Sequence, residues 1–157
     1  MNNFSHEDGV LFCENVSIAE IVEKFGSPAY VYSENHIRGK ARDYLKSLSR
    51  PGMVCFSVKA LSNIHILKIL AEEGCCFDVV SAGEIQRCFA AGIDAGKLIF
   101  SGVGKSEQEI AFAIKSEIFS INAESFSEIA RISKIAAELD TVVPLGIRIN
   151  PDISIAS

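Results

Sequence analysis

With 157 residues, a net charge of -5 and 48% hydrophobic residues, the chain has the size and apolar content of one soluble globular domain with a real core. Its 20 acidic residues against 15 basic ones leave no basic footprint for nucleic acid, and no apolar run reaches the roughly 20 residues that a membrane span takes. The polar, acidic start Met1–Asp8 is no secretory signal, the five cysteines lack C-x-x-C spacing and read as reduced thiols of a cytoplasmic protein, and His6, His36 and His65 lie too far apart for a metal site.

Residues 9–32 read as a small unit of their own. Val10–Cys13 is strand-like, Ser17-Ile-Ala-Glu20 is a capping box that opens a helix, and Gly26 and Pro28 close it. Ala29–Tyr32 is expected as another extended piece. Ser33 then caps a helix running to about Leu48, and Arg50-Pro51-Gly52 turns the chain.

From Met53 onward a regular beat sets in. Strand-like runs begin near Met53, Cys76, Leu98, Ile118 and Val142, roughly 22 residues apart, the length a strand-plus-helix unit needs. Apolar stripes at helical spacing fill the gaps: Ile64, Leu67 and Ala71; Ile85, Cys88 and Phe89; Ile110, Ala113 and Ile114; Phe126, Ile129 and Ala130. Ser106-Glu-Gln-Glu109 and Ser125-Phe-Ser-Glu128 are capping boxes at two helix starts, Ser81-Ala-Gly-Glu84 has the form of an ordinary helix start, and Gly74 and Gly92 sit where helices end.

Apolar strands on this beat make a parallel sheet covered by helices. Each strand has one bulky face (Val54, Phe56 and Val58; Phe77 and Val79; Phe119 and Ile121; Leu145, Ile147 and Ile149) and one small or polar face. An open doubly wound sheet needs apolar residues on both faces. A barrel turns one face to helices and the other to its interior, with ligands at the C-terminal strand ends. The α/β class is therefore read as a partial (β/α)8 barrel, with Lys59, Asn122 and Arg148 at the strand ends and Asp78 on the same face. A full barrel takes eight strands and about 250 residues. About five strands precede Ser157, so the chain is expected to be the front part of a longer protein and only marginally stable by itself.

Lys59 closes Met53–Lys59, read as one strand, on the face shared with Cys55 and Ser57. A lysine there is expected to point into the cavity beyond the sheet, where burial favours the neutral, nucleophilic amine. Asp78 lies inside the apolar run Cys76–Val80 and needs a partner; Lys59 and Arg148 project from the same face. Gly102-Val-Gly-Lys-Ser106 is no phosphate loop: Ile99 and Glu107 stand where glycines belong, and Ser106 reads as a helix cap.

Phe56-Ser-Val-Lys-Ala60, Phe77-Asp-Val-Val-Ser-Ala-Gly-Glu84, Phe100-Ser-Gly-Val-Gly-Lys-Ser106, Asn122-Ala-Glu-Ser125 and Arg148-Ile-Asn-Pro-Asp152 stand in an order and spacing that resembles the diaminopimelate decarboxylase family. These are pyridoxal 5'-phosphate enzymes of the alanine racemase-like barrel class, and Gly26–Tyr32 fits them too. The resemblance implies that Lys59 carries the cofactor, with Asp78, Arg148 and Ser81 lining its cavity. It implies decarboxylation of a small amino acid, meso-2,6-diaminopimelate, to L-lysine and CO2, in a full-length homodimer. Residues 1–32 would join a C-terminal-type β-domain, and 33–157 would be the partial barrel. The phosphate-holding loops and substrate residues would lie beyond Ser157, so the chain alone is expected to be inactive. Ala60-Leu61 departs from the Ala-Asn usual after the lysine, and Asn63 reads as a helix cap. Decarboxylation of ornithine, arginine or carboxynorspermidine, racemisation, and a non-catalytic interaction partner are the competing readings.

Overall fold

The computed structural model describes residues 3–151. The final Asp152 of the Arg148–Asp152 motif, the stretch to Ser157, and Met1 and Asn2 lie outside them.

The chain opens with a three-stranded antiparallel sheet of β1 (Phe4–Glu7), β2 (Val10–Cys13) and β3 (Val16–Ser17). Two-residue turns join the strands, with Glu7 opposite Val10 and Cys13 opposite Val16. Asp8 (φ 49°), Gly9 (φ 82°) and Glu14 (φ 55°) take the left-handed backbone that matches such turns to the strand twist. β1 was not foreseen; its signal is the Asp8-Gly9 pair. The box at Ser17 opens α1 (Ile18–Phe25), which ends at Gly26. Ala29–Tyr32 joins no ladder and is an irregular connection, not a strand.

Ser33 caps α2 (Glu34–Lys46). Glu14 binds the N-terminal sheet to this helix, accepting from Ser33 Oγ at 2.6 Å and Asn35 N at 2.8 Å. These bonds hold its carboxyl below the usual carboxylate range.

Four strand–helix beats and a fifth strand follow: β4 (Cys55–Ser57), α3 (Ile64–Glu72), β5 (Cys76–Val79), α4 (Ala82–Ala90), β6 (Leu98–Phe100), α5 (Glu107–Lys115), β7 (Ser120–Ala123), α6 (Phe126–Glu138) and β8 (Leu145–Ile147). All five strands are parallel, in the order β4-β5-β6-β7-β8, the partial barrel that the alternating faces imply. Phe77, Val79, Leu98, Phe100 and Ile121 are fully buried in one core cluster with Leu67, Ile85 and Ile110 of the helices. Each such side chain contributes about 1.5–3 kcal/mol. The opposite face carries Ser57 beside Asp78, Asp78 beside Ile99, and Asn122 beside Gly146. Among the described residues nothing pairs with the outer edges of β4 and β8, and Ile147 of β8 stays 66% exposed.

Two helix-start geometries recur. At Ser17 and Ser106 (φ -70° and -72°) the glutamate three residues on returns to the serine's own N–H, a true capping box. At Ser81 and Ser125 (φ -158° and -159°) the serine caps as expected, but Glu84 and Glu128 reach one residue further back, to the N–H of Val80 and Glu124. The fully extended serine turns its own N–H away and presents the preceding one.

Candidate active site

The C-terminal ends of all five parallel strands converge on one cavity of about 370 Å³. Its wall runs in strand order: Lys59 after β4; Asp78 and Val80; Ser101 and Gly102; Asn122 and Glu124; Gly146, Ile147 and Arg148. This is the end at which barrels hold ligands. Two cations, Lys59 and Arg148, face two anions, Asp78 and Glu124. The larger cleft between α2 and β4 (570 Å³) has no carboxylate in its lining, and the one at α3–α4 (630 Å³), although it carries Lys68, Lys97, Glu72 and Asp94, lies between helices and not at the C-terminal strand ends.

Lys59 reaches the cavity differently from expectation. β4 ends at Ser57, and Val58–Ala60 wind into a 3-10 turn. Val58 drives this change: it is fully buried, while Lys59 stays exposed. The expected burial of Lys59 is corrected accordingly, since β4 is the edge strand among the described residues and no described strand pairs with its outer edge. Asn63 caps α3, accepting from His65 N and Ile66 N.

Asp78 finds a partner other than the expected cations. Ser101, at the end of the next strand, donates its hydroxyl to Asp78 Oδ1, and Asn122 Nδ2 donates to Ser101 Oγ at 3.0 Å. The three side chains thus form a relay across three adjacent strand ends. Arg148 pairs instead with Glu124, at 3.1 Å to Oε2 and 3.2 Å to Oε1. The neighbouring strand's hydroxyl bonds to Asp78 without an ion pair, and Glu124, the residue after β7, lies beside the end of β8. Ser101 and Glu124 were missed as site residues; each is the first residue beyond its strand, a position recognisable only once strand ends are fixed.

Two glycines are dictated by close approach. Gly102 (φ 97°) passes 3.3 Å from Val80 Cβ, measured from where its own Cβ would be. A Cβ on Gly146 would collide with Asn122 Oδ1 and stand 3.2 Å from Asn122 Cγ.

Ser81 is the α4 cap, accepting from Glu84 N at 3.2 Å, and is absent from the cavity wall. The helix starts nearby are closed by the chain's own acids. Glu84 takes Val80 N, Glu109 takes Ala82 N at 3.1 Å, and Glu128 takes Glu124 N. Backbone bonds from Ser106 and Ala82 hold the Glu109 carboxyl below its ordinary value. With these donors spent, the starts of α4 and α6 offer a phosphate few free N–H groups. Lys105 is likewise no phosphate ligand: its ammonium is buried on Gly102 O and Asn122 O, both at 2.7 Å. The loop from Gly102 to Ser106 is therefore the helix-capping connection expected of it.

No helix of the described residues is long and apolar enough to cross a membrane, and no metal-binding cluster occurs among them.

The sequence profile of the pyridoxal-dependent decarboxylase, pyridoxal binding domain, matches residues 34–157. The chain is 44% identical over 154 residues to diaminopimelate decarboxylase of Pseudomonas aeruginosa, covering 98% of this chain and 37% of that protein. In structure it is similar to diaminopimelate decarboxylase of Helicobacter pylori complexed with L-lysine (TM-score 0.83, 40% identity, 86% of this chain and 34% of that one). The lysine/ornithine decarboxylase of Vibrio vulnificus, at TM-score 0.74 and 24% identity over 83% of this chain and 35% of that one, shares the fold. The chain thus spans little more than a third of the length of the curated relatives it matches. A profile match over most of the chain, joined to strand ends that bring a lysine, an aspartate and an arginine onto one cavity wall, establishes that this chain belongs to the pyridoxal-dependent decarboxylase family.

Proposed function

We propose that this chain supplies the amine side of a pyridoxal 5'-phosphate site, with Lys59 as the covalent anchor. The complete protein would decarboxylate meso-2,6-diaminopimelate to L-lysine and CO2. The observation that carries this reading is the convergence of Lys59, Asp78 and Arg148 on one cavity in a chain of the pyridoxal-binding family. Its volume of about 370 Å³ lies within the range of small-ligand sites. The donor set fits the group on its aldehyde side: an exposed amine, a carboxylate and a guanidinium. When bound, pyridoxal phosphate supplies an electron-poor ring that takes up the electron pair left by a departing carboxylate.

The chain's own residues do the rest. Lys59 Nζ has to shed a proton before it bonds to a carbonyl carbon. Asp78, one strand away on the same cavity wall, would receive it. Ser101 binds Oδ1 and leaves Oδ2 free to accept from that amine or from a substrate ammonium. Asn122 holds the Ser101 hydroxyl in this orientation. Arg148, 65% exposed beyond its bond to Glu124, keeps donors free for an anionic oxygen. Ser81 would act one step back, by setting the start of α4 beside Val80.

Residues 33–157 are then the cofactor barrel's front part, and the N-terminal sheet, within residues 1–32, joins a β-domain formed by the remainder. A pair of complete copies and a cytoplasmic setting for the free cysteines belong to the same reading.

A chimaera tests it. This chain replaces the matching 37% of the Pseudomonas aeruginosa relative, and the products from diaminopimelate, ornithine and arginine are measured. Formation of L-lysine, lost in Lys59→Ala, is expected. A folded chimaera that decarboxylates ornithine or arginine in preference, or that keeps its activity without Lys59, refutes the proposal.

A further inference from the structure

Lys105 and Glu128 stand behind the cavity wall, and both are buried, at 2% and 3% exposure. All three N–H donors of Lys105 are spent, on Gly102 O, Asn122 O and, at 3.2 Å, Glu128 Oε1. Its ammonium also lies 5.4 Å from the centre of the Phe100 ring. The second oxygen of Glu128 accepts from Glu124 N at 2.7 Å. Glu124 in turn accepts from Gly102 N at 3.1 Å and pairs with Arg148. Gly102 is thus held at both ends of its backbone, its C=O by Lys105 and its N–H by Glu124. One carboxylate, Glu128, fixes both of those holders.

Stability alone does not account for such a pair. Burying two charges costs desolvation that well-packed apolar side chains avoid. What an apolar pair cannot do is hold two backbone carbonyls, on separate strand ends, at a set spacing. We infer that the Lys105–Glu128 pair is a positioning device that sets the ends of β6 and β7 and, through Glu124, aims Arg148 at the cavity. The purpose assigned to it rests on the pyridoxal-site reading; the clamp itself rests on the contacts alone.

Amide hydrogen exchange of the chain tests the clamp, and borohydride trapping of pyridoxal phosphate in the chimaera, unaltered or carrying the substitutions below, tests the site. In the unaltered chain Gly102 and Glu124 should exchange as slowly as the amides within β6. In Lys105→Met/Glu128→Gln, which removes both charges together, those two amides should exchange at least about tenfold faster. Amides of β5 and β6 should keep their rates, and the Kd for pyridoxal phosphate should rise with Lys59 still the labelled residue. Loop-like exchange of Gly102 and Glu124 in the unaltered chain overturns the inference whatever the variant does. Unchanged rates in the variant, or uniform acceleration across all strands, also overturn it, the latter because the pair then serves the fold as a whole. Absence of label at Lys59 in the chimaera refutes the functional reading and leaves the exchange pattern to judge the clamp.

Discussion

A single methyl group at Gly146 should disturb Asp78, three strands away, through the relay. Gly146 lies directly beside Asn122 in the β7–β8 register, and an added Cβ would overlap Asn122 Oδ1. The carboxamide has to rotate, and its bond to Ser101 goes with it. Overpacking of this kind costs about 1–3 kcal/mol, and a lost neutral hydrogen bond about 1 kcal/mol. Replacing a strand glycine by alanine returns about 0.5–1 kcal/mol of backbone entropy. The net expectation for Gly146→Ala is a destabilisation of about 1–3.5 kcal/mol, read as a lower urea midpoint. The assay is a double-mutant cycle with Asn122→Ala, which removes the obstructing amide. In that background Gly146→Ala should be neutral or stabilising. An equal cost in both backgrounds would refute the close approach and the relay's dependence on it.

Other perturbations separate the roles of neighbouring groups. Ser57 Oγ is the one buried side-chain polar atom without a hydrogen-bond partner among the described residues. Ser57→Ala should therefore shift the urea midpoint little, whereas Ser101→Ala, which strips Asp78 of its donor, should cost about 1–3 kcal/mol. Equal effects would contradict that contrast. Arg148→Ala breaks a pair whose guanidinium is 65% exposed and should cost about 1 kcal/mol, against about 3–5 kcal/mol for Lys105→Met, which leaves Glu128 buried without its cation. The reverse ranking in urea would count against the assigned burial. Glu109 has a depressed pKa, so its stabilisation is in place above its ordinary value of 4.5 and is lost as pH falls through the lower folded value. Glu109→Gln should lower stability at neutral pH and make the acid limb below 4.5 shallower; an unchanged limb would contradict the assignment.

Much of this architecture is legible in the sequence, because local signals and the long-range beat agree. The strand starts near Cys76 and Leu98 match the structure's strands, as do the caps at Ser17, Ser33, Ser81, Ser106 and Ser125. Alternation along the strands places Asp78 and Asn122 on the interior face, opposite the buried Phe77 and Ile121. Lys59 marks where that reasoning runs out. A period of two carried past Ser57 assumes that the strand continues, whereas burial of Val58 turns the chain. The misassigned partners of Asp78 and Arg148 have another origin. Like-facing charges suggest an ion pair, but proximity along the sheet edge decides, and a serine hydroxyl and a second carboxylate lie closer. The burial of Lys105 has no composition signal at all. It depends on two carbonyls and Glu128 meeting across β6 and β7, which only the assembled sheet brings about.

The central claim, that Lys59 is the anchor of a pyridoxal site, is tested most directly by borohydride reduction of the chimaera with bound pyridoxal phosphate, followed by peptide mass mapping. The account predicts a pyridoxyl group on the peptide containing Lys59 at substoichiometric cofactor, lost in Lys59→Arg with the fold retained. Label spread evenly over the exposed lysines, or concentrated on a lysine away from the cavity, would contradict it.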